Sequence, residues 1–207
     1  MIATFFALLS ITCSGNISSF NLAKKDIVFT QNRSISLQLS KKKMLQELQN
    51  LKIAFKAKDK KGISKFFKFP LDDSTISVYG IDSKIDLEVQ DNHGRLGEKT
   101  FEKHFNRIYE YFEMEEFNKL FQNLNTDSLL KKNNIKSEKH YKNKGCYHTY
   151  KASIEGNQII LTNASNSDEE YLEKHPNESM ACAEHTSSWI FTFDGQNLYF
   201  KKLIEAG

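Results

Sequence analysis

The chain has 207 residues, of which 39% are hydrophobic, 12% aromatic and 27% charged, a balance that can fill a core and that excludes the disordered and low-complexity classes. With 9 Gly and 2 Pro against 16 Phe, collagen-like and propeller architectures are excluded as well. The formal net charge of +3 conceals an asymmetry, because residues 1–68 hold 13 Lys or Arg against 3 Asp or Glu and the remainder is acidic. A basic end of this kind suits anionic headgroups or nucleic acid. Here, however, Lys41, Lys42, Lys43, Lys56, Lys58, Lys60 and Lys61 fall in helical sequence, where a lysine run forms a solvated face.

At the N-terminus, Phe5 to Ile11 is an apolar run of seven residues bounded by Thr4 and Thr12. It is far short of the ~20 residues needed to span a bilayer, yet it suits the core of a signal peptide. The following Leu9-Ser10-Ile11-Thr12-Cys13-Ser14 resembles a bacterial lipobox, which implies lipidation of Cys13 and a place in the bacterial cell envelope, periplasmic or membrane-anchored. Residues 1–13 are therefore expected to be a leader, 14–39 a tether or irregular segment, and 40–207 a single domain. Export also places nucleic acid out of reach, leaving the membrane, through the lipid anchor, as the expected contact.

From Ser40, a candidate N-cap, the spacing of Met44, Leu48, Leu51 and Phe55 predicts a helix with one apolar stripe. Asp59 is expected to cap a short second helix carrying Ile63, Phe66 and Phe67, which ends near Phe69 because Pro70 disfavours helical geometry before it. Thr75 to Tyr79 and Lys84 to Gln90 read as short strands split by Gly80, the second alternating through Ile85, Leu87 and Val89. After a turn at Asp91-Asn92-His93-Gly94, Phe101, Phe105, Ile108 and Phe112 repeat the helical stripe, which runs on or restarts through Phe117, Leu120, Phe121 and Leu124. Beyond the polar stretch Asn125 to Lys144 the period becomes two. Tyr147 to Ile154 and Ile159 to Thr162 form a hairpin about Glu155-Gly156-Asn157; Trp189, Phe191 and Phe193, the Asp194-Gly195 turn and Leu198 to Ile204 form another. Helices first and antiparallel strands last make the fold class α+β, with N-terminal helices packed on a curved antiparallel sheet.

If Cys13 is lipidated, Cys146 and Cys182 remain as an even pair, read first as a disulfide. Two buried thiols, or metal ligation together with His148 and His185, are the competing readings. The metal reading lacks a tight knuckle turn between its ligands, so no metal or other cofactor is expected.

Residues 40–207 resemble the nuclear-transport-factor-2-like superfamily in the helical pair ending at Phe69-Pro70-Leu71, the further helix, and the closing Ser188-Trp189-Ile190-Phe191-Thr192-Phe193-Asp194-Gly195 hairpin. The resemblance implies a cone, with the stretch from Ala164 to Met180 as an insertion at its mouth. No P-loop, dinucleotide fingerprint, zinc-protease helix or nucleophile elbow is present. Enzymes of the resembled superfamily use an Asp, His or Tyr inside the cone, which makes Asp72 (or Asp73), His148, Tyr150 and His185 with Glu184 the catalytic candidates. His148 and Tyr150 lie two apart on a strand and share a face, whereas Glu184 and His185 are consecutive and face opposite ways. Trp189, Phe191 and Phe193 are the candidate ligand-binding residues, for a small apolar ligand. The expected function is a non-catalytic binding or interaction module whose partner is such a ligand or an envelope protein. A small-molecule lyase, isomerase or hydrolase, and an immunity or inhibitor protein, are the alternatives.

Overall fold

The computed structural model describes residues 38–141, 145–177 and 182–207; the expected leader 1–13 with Cys13, and all of the expected tether 14–39 but residues 38 and 39, lie outside the described residues. Residues Ser40–Gly207 form one compact unit of α+β type. Among the described residues, no helix is long and apolar enough to cross a membrane.

Helix α1 covers residues 38–56, and its stripe Met44, Leu48, Leu51 and Phe55 is buried as the periodicity predicts. Lys42, Lys43, Lys56, Lys58 and Lys61 are exposed, the solvated face expected of them. Helix α2, Lys60–Ser64, follows Asp59, whose carbonyl rather than its carboxylate takes the first helical bond, from Ile63 N at 2.7 Å. Past the cis Phe69–Pro70 bond, Leu71 and Leu96 exchange backbone hydrogen bonds of 2.9 and 2.8 Å and pin the ends of the next segment together.

That segment corrects two expectations. Residues 75–79 form no strand: Asp72 and Asp73 accept hydrogen bonds from the backbone N–H groups of Ser74 and Val78, which folds the chain into turns. Residues 84–90 lie in a helix, α3, Ser83–Asp91, capped by Asp82 through Lys84 N. Ile85 and Val89, one helical turn apart, are buried, while Leu87 points outward at 60% exposure. The triplet Ile85, Leu87, Val89 satisfies a period of two and also the i, i+4 rule; the Asp82 cap decides between them.

The phenylalanine stripe is spread over α4 (Glu98–Lys103), α5 (Phe105–Tyr111) and α6 (Glu115–Asn123). The break before α6 includes Glu113 at φ 48°, and the helix restarts after it. A 3-10 helix, Thr126–Leu130, then leads to β1, Asn134–Tyr141, a strand within the polar stretch that showed no alternation of apolar residues. With β2 (Cys146–Glu155), β3 (Gln158–Ser167), β4 (His185–Phe193) and β5 (Leu198–Ala206) it builds an open five-stranded sheet in the order β1-β2-β3-β4-β5, every pair antiparallel. Both hairpins sit where the alternation predicts. Strand β3 runs on through Ala164 to Ser167, so the first four residues of the expected insertion extend the sheet, and α7, Glu169–Lys174, follows.

The core lies between helices and sheet. Phe117 of α6 stacks on Phe55 of α1 with centroids 4.3 Å apart and meets Trp189 of β4 at 4.6 Å; Phe67 meets Phe200 of β5 at 5.1 Å. Burying each such ring contributes about 1.5–3 kcal/mol, which makes this cluster the main attachment of helices to sheet. The free edge of β5 is bonded to the helical layer, with Phe200 N donating to Phe66 O at 2.6 Å and Leu203 N to Thr75 O at 3.0 Å. The outer edge of β1 carries mostly exposed polar residues, among them Lys136, Glu138 and Lys139.

Cys146 and Cys182 form a disulfide with Cα atoms 5.4 Å apart. It fastens the start of β2 to the segment entering β4, where Ser167 Oγ also bonds the backbone of Cys182. The sulfurs bond each other, which removes both the two-thiol reading and the Cys-His metal set.

Candidate functional site

The helix-facing side of the sheet changes character along its length. Directly opposed residues of an antiparallel sheet share a face, so the register defines rows of side chains. The row Ala152, Leu161, Trp189 and Leu203 is apolar. The next row is Ser137, Tyr150, Asn163, Ser187 and Glu205, and the one after it Lys139, His148, Ser165 and His185. Three of the four catalytic candidates, His148, Tyr150 and His185, thus stand on one face in adjacent rows. The strand parity of His148 and Tyr150 holds, and Glu184 is exposed in a cleft with Tyr147 and Asn166 of the alternate positions.

Helix α6 closes over this polar end. Glu116 Oε2 accepts a hydrogen bond from Asn163 Nδ2 at 2.6 Å, and Glu116 Oε1 one from Lys119 Nζ at 2.5 Å. That partnership raises the Lys119 pKa, so its ammonium is held charged. Tyr150 is fully buried, and its Oη makes no hydrogen bond of good geometry within the described residues, Tyr141 interacting with it only weakly; the buried Asn163 Oδ1 and His148 Nδ1 likewise lack a well-formed partner. The His148 ring lies nearly parallel to Tyr150 at 6.2 Å between centroids and edge-on to Tyr141 at 5.3 Å. Burial first, then Tyr141 and the charge of Glu116, push the Tyr150 pKa well above the usual phenol range. Its hydroxyl is therefore kept protonated, a donor and not a base. Leaving a buried polar atom without a partner costs about 1–3 kcal/mol, so three poorly satisfied ones in one place are a concentrated expense of stability.

No family model, characterised protein or solved structure matches the chain. The chemistry of the site is therefore argued from its geometry.

The other candidates lie apart from this cluster. Asp72 accepts hydrogen bonds from Ser74 N at 3.0 Å and from Ser74 Oγ, which lower its pKa, and Asp73 accepts from Val78 N at 2.9 Å; both shape the loop after Pro70. Trp189, Phe191 and Phe193 are buried, with Phe117 and Phe200 against the first two. A cleft of about 580 Å³ is lined by His140, Tyr147, Asn166, Asp168 and the candidate Glu184; two smaller clefts hold none of the candidates. One of about 390 Å³ includes Asn50, Ile53, Asp59, Lys65 and Asn197. Another of about 440 Å³, on the opposite side of the sheet, includes His140, Asp168, Tyr171 and His175, with His140 Nδ1 and Asp168 Oδ2 2.8 Å apart.

At the polar end, Glu113, His185 and Glu205 bring one donor atom each to within 4.8 Å of one another. His185 Nε2 shares a 2.8 Å hydrogen bond with Ser187 Oγ, and Ser187 is 1% exposed. Glu113, Glu116, Lys119, Tyr141, Asn163 and Glu205 were not among the sequence candidates. One signal was readable: Ile159, Leu161 and Asn163 alternate inward, so Asn163 is a polar residue at a core position, and Ser187 before Trp189 is another.

Proposed function

We propose that this protein is an exported, non-catalytic binding module of the bacterial cell envelope that takes a small polar ligand at the Tyr150–Asn163 end of its sheet. The observation that carries the reading is the grouping of three buried polar atoms, Tyr150 Oη, Asn163 Oδ1 and His148 Nδ1, of which the last two lack hydrogen-bond partners within the described residues and the first has only a weak interaction with Tyr141. A ligand carrying donors and acceptors would satisfy them and offset their desolvation. Burial, then Tyr141 and the charge of Glu116, hold Tyr150 in its protonated form, which favours recognition over proton abstraction. Because Trp189, Phe191 and Phe193 are taken up by packing, the reading moves the ligand from the aromatic rows to the polar ones.

Two observations support export: the Cys146–Cys182 disulfide, a bond that persists in oxidising compartments, and the Phe5–Cys13 leader pattern. Helices followed by an antiparallel meander is the arrangement implied by the resemblance to the nuclear-transport-factor-2-like superfamily; within this proposal the sheet forms the wall of such a cone.

Saturation-transfer NMR against mixtures of sugars, amino acids and dicarboxylates tests the binding reading. Expected is at least one binder of the wild type that is lost in both Tyr150→Phe and Asn163→Leu. A screen without binders, or binders indifferent to both substitutions, overturns it. For export, detergent-phase partitioning of wild type and Cys13→Ala is decisive: wild type enters the detergent phase and the variant does not.

A further inference from the structure

We propose that Glu113, His185 and Glu205 form a binding site for a divalent transition-metal ion. The three residues come from the link before α6, the first position of β4, and β5, and their donor atoms already lie within 4.8 Å of one another. Three donors bound to one ion at about 2.1 Å in tetrahedral geometry sit about 3.4 Å apart, so closure needs up to about 1.4 Å of movement. The two glutamates are exposed and free to supply it by rotation; the imidazole is the fixed point.

Two carboxylates brought this close repel each other, a cost that a divalent cation removes. Ser187 positions the imidazole from beneath. When His185 Nε2–H donates to Ser187 Oγ, Nδ1 presents its lone pair, the tautomer that metal ligation requires. One nitrogen and two carboxylate donors suit zinc or manganese better than calcium or a thiolate-seeking ion. Three protein ligands also leave a coordination position for water or an exogenous group. Asn163, directly opposite Ser187 in register, is 9% exposed, with its Nδ2 bonded to Glu116, so the sheet beside the cluster is polar into its buried part. The metal site does not require the polar-ligand reading, and metal binding is measured without any organic ligand.

The test uses the full chain with its disulfide intact, freed of metal by chelation, and titrated calorimetrically with zinc chloride and, separately, manganese chloride. Expected is one ion per chain for at least one of the two metals. Affinity should fall tenfold or more in Glu113→Gln, Glu205→Gln and His185→Gln, and stay unchanged in the control Glu110→Gln. The two glutamate variants alter exposed side chains and carry the test even if the histidine variant fails to fold. Absence of binding by both metals, or affinity that the glutamate variants leave intact, overturns the proposal; the latter would place the ion elsewhere, the His140–Asp168 pair being the next candidate.

Discussion

Asn163 Nδ2, on the central strand β3, donates to Glu116 Oε2 on α6 across 2.6 Å, a side-chain bond between helix and sheet at the margin of the aromatic core. The carboxylate is only 18% exposed and also holds Lys119, so the contact is a charge-assisted bond in a partly dry setting. In a double-mutant cycle of Glu116→Gln and Asn163→Ala, read by urea denaturation, a coupling of about 1.5–2 kcal/mol is expected. A coupling indistinguishable from zero would remove Glu116 as a tie between the layers.

The Cys146–Cys182 bridge spans 36 residues, including α7, and a loop of that size restrains the unfolded chain by about 3–4 kcal/mol. Reduction, or the double variant Cys146→Ala/Cys182→Ala, is expected to lower the urea midpoint accordingly. Under denaturing conditions without reductant, thiol labelling should leave both cysteines unmodified.

Glu88 gives the fold an acid-labile contribution. Its Oε1 lies 2.6 Å from Lys103 Nζ and 2.9 Å from His104 Nε2, and these partners pull its pKa down to about 2. A carboxyl whose pKa is lower folded than unfolded stabilises the native state above the ordinary glutamate range, and that stabilisation is lost as pH falls through about 2. The side chain is 30% exposed, so solvent screening limits the effect to about 1 kcal/mol. In denaturation series from pH 6 to pH 2, Glu88→Gln should be less stable at pH 6 and should converge on wild type at the acid end.

Phe117 touches Phe55, Trp189 and Phe191, joining α1, α6 and β4. Truncation to Ala opens a cavity where both layers meet and should cost about 3–5 kcal/mol, measured by thermal or chemical unfolding. A cost below about 1 kcal/mol would show that the layers are held together elsewhere.

Tyr150→Phe deletes a buried hydroxyl that has no well-formed hydrogen bond within the described residues. Stability should change by less than about 0.5 kcal/mol or rise slightly, in contrast to the Phe117 change. A loss above about 2 kcal/mol would mean that the hydroxyl serves the fold.

Burial and register decided how much could be read in advance. The stripe Met44, Leu48, Leu51, Phe55 was legible because it fits only the helical period, and the alternation Trp189, Phe191, Phe193 because its aromatic residues run straight into the Asp194-Gly195 turn; both are buried along their whole length. Ile85, Leu87 and Val89 fit two periods, and only the capping Asp82 separates them. Strand β1 was invisible: its outward positions face water, and of its inward ones Ile135 and Tyr141 are apolar but separated by Ser137 and Lys139 at the polar end of the sheet, so no continuous apolar alternation marks it. For the site, parity placed His148 with Tyr150. Their neighbours Glu116, Ser187 and Glu205 arrive through strand register and helix docking, which no local spacing encodes.

A meander of five strands has two margins, and this one treats them differently. The last strand is sealed by the carbonyls of Phe66 and Thr75, so an incoming polypeptide finds its amides already engaged. The first pairs with no further strand among the described residues, but Lys136, Glu138 and Lys139 line it, and a second molecule docking there would have to strip their hydration. Replacing them with valine or threonine would turn that margin into a template for intermolecular pairing, and fibrillation would become the hazard that the native charges keep away.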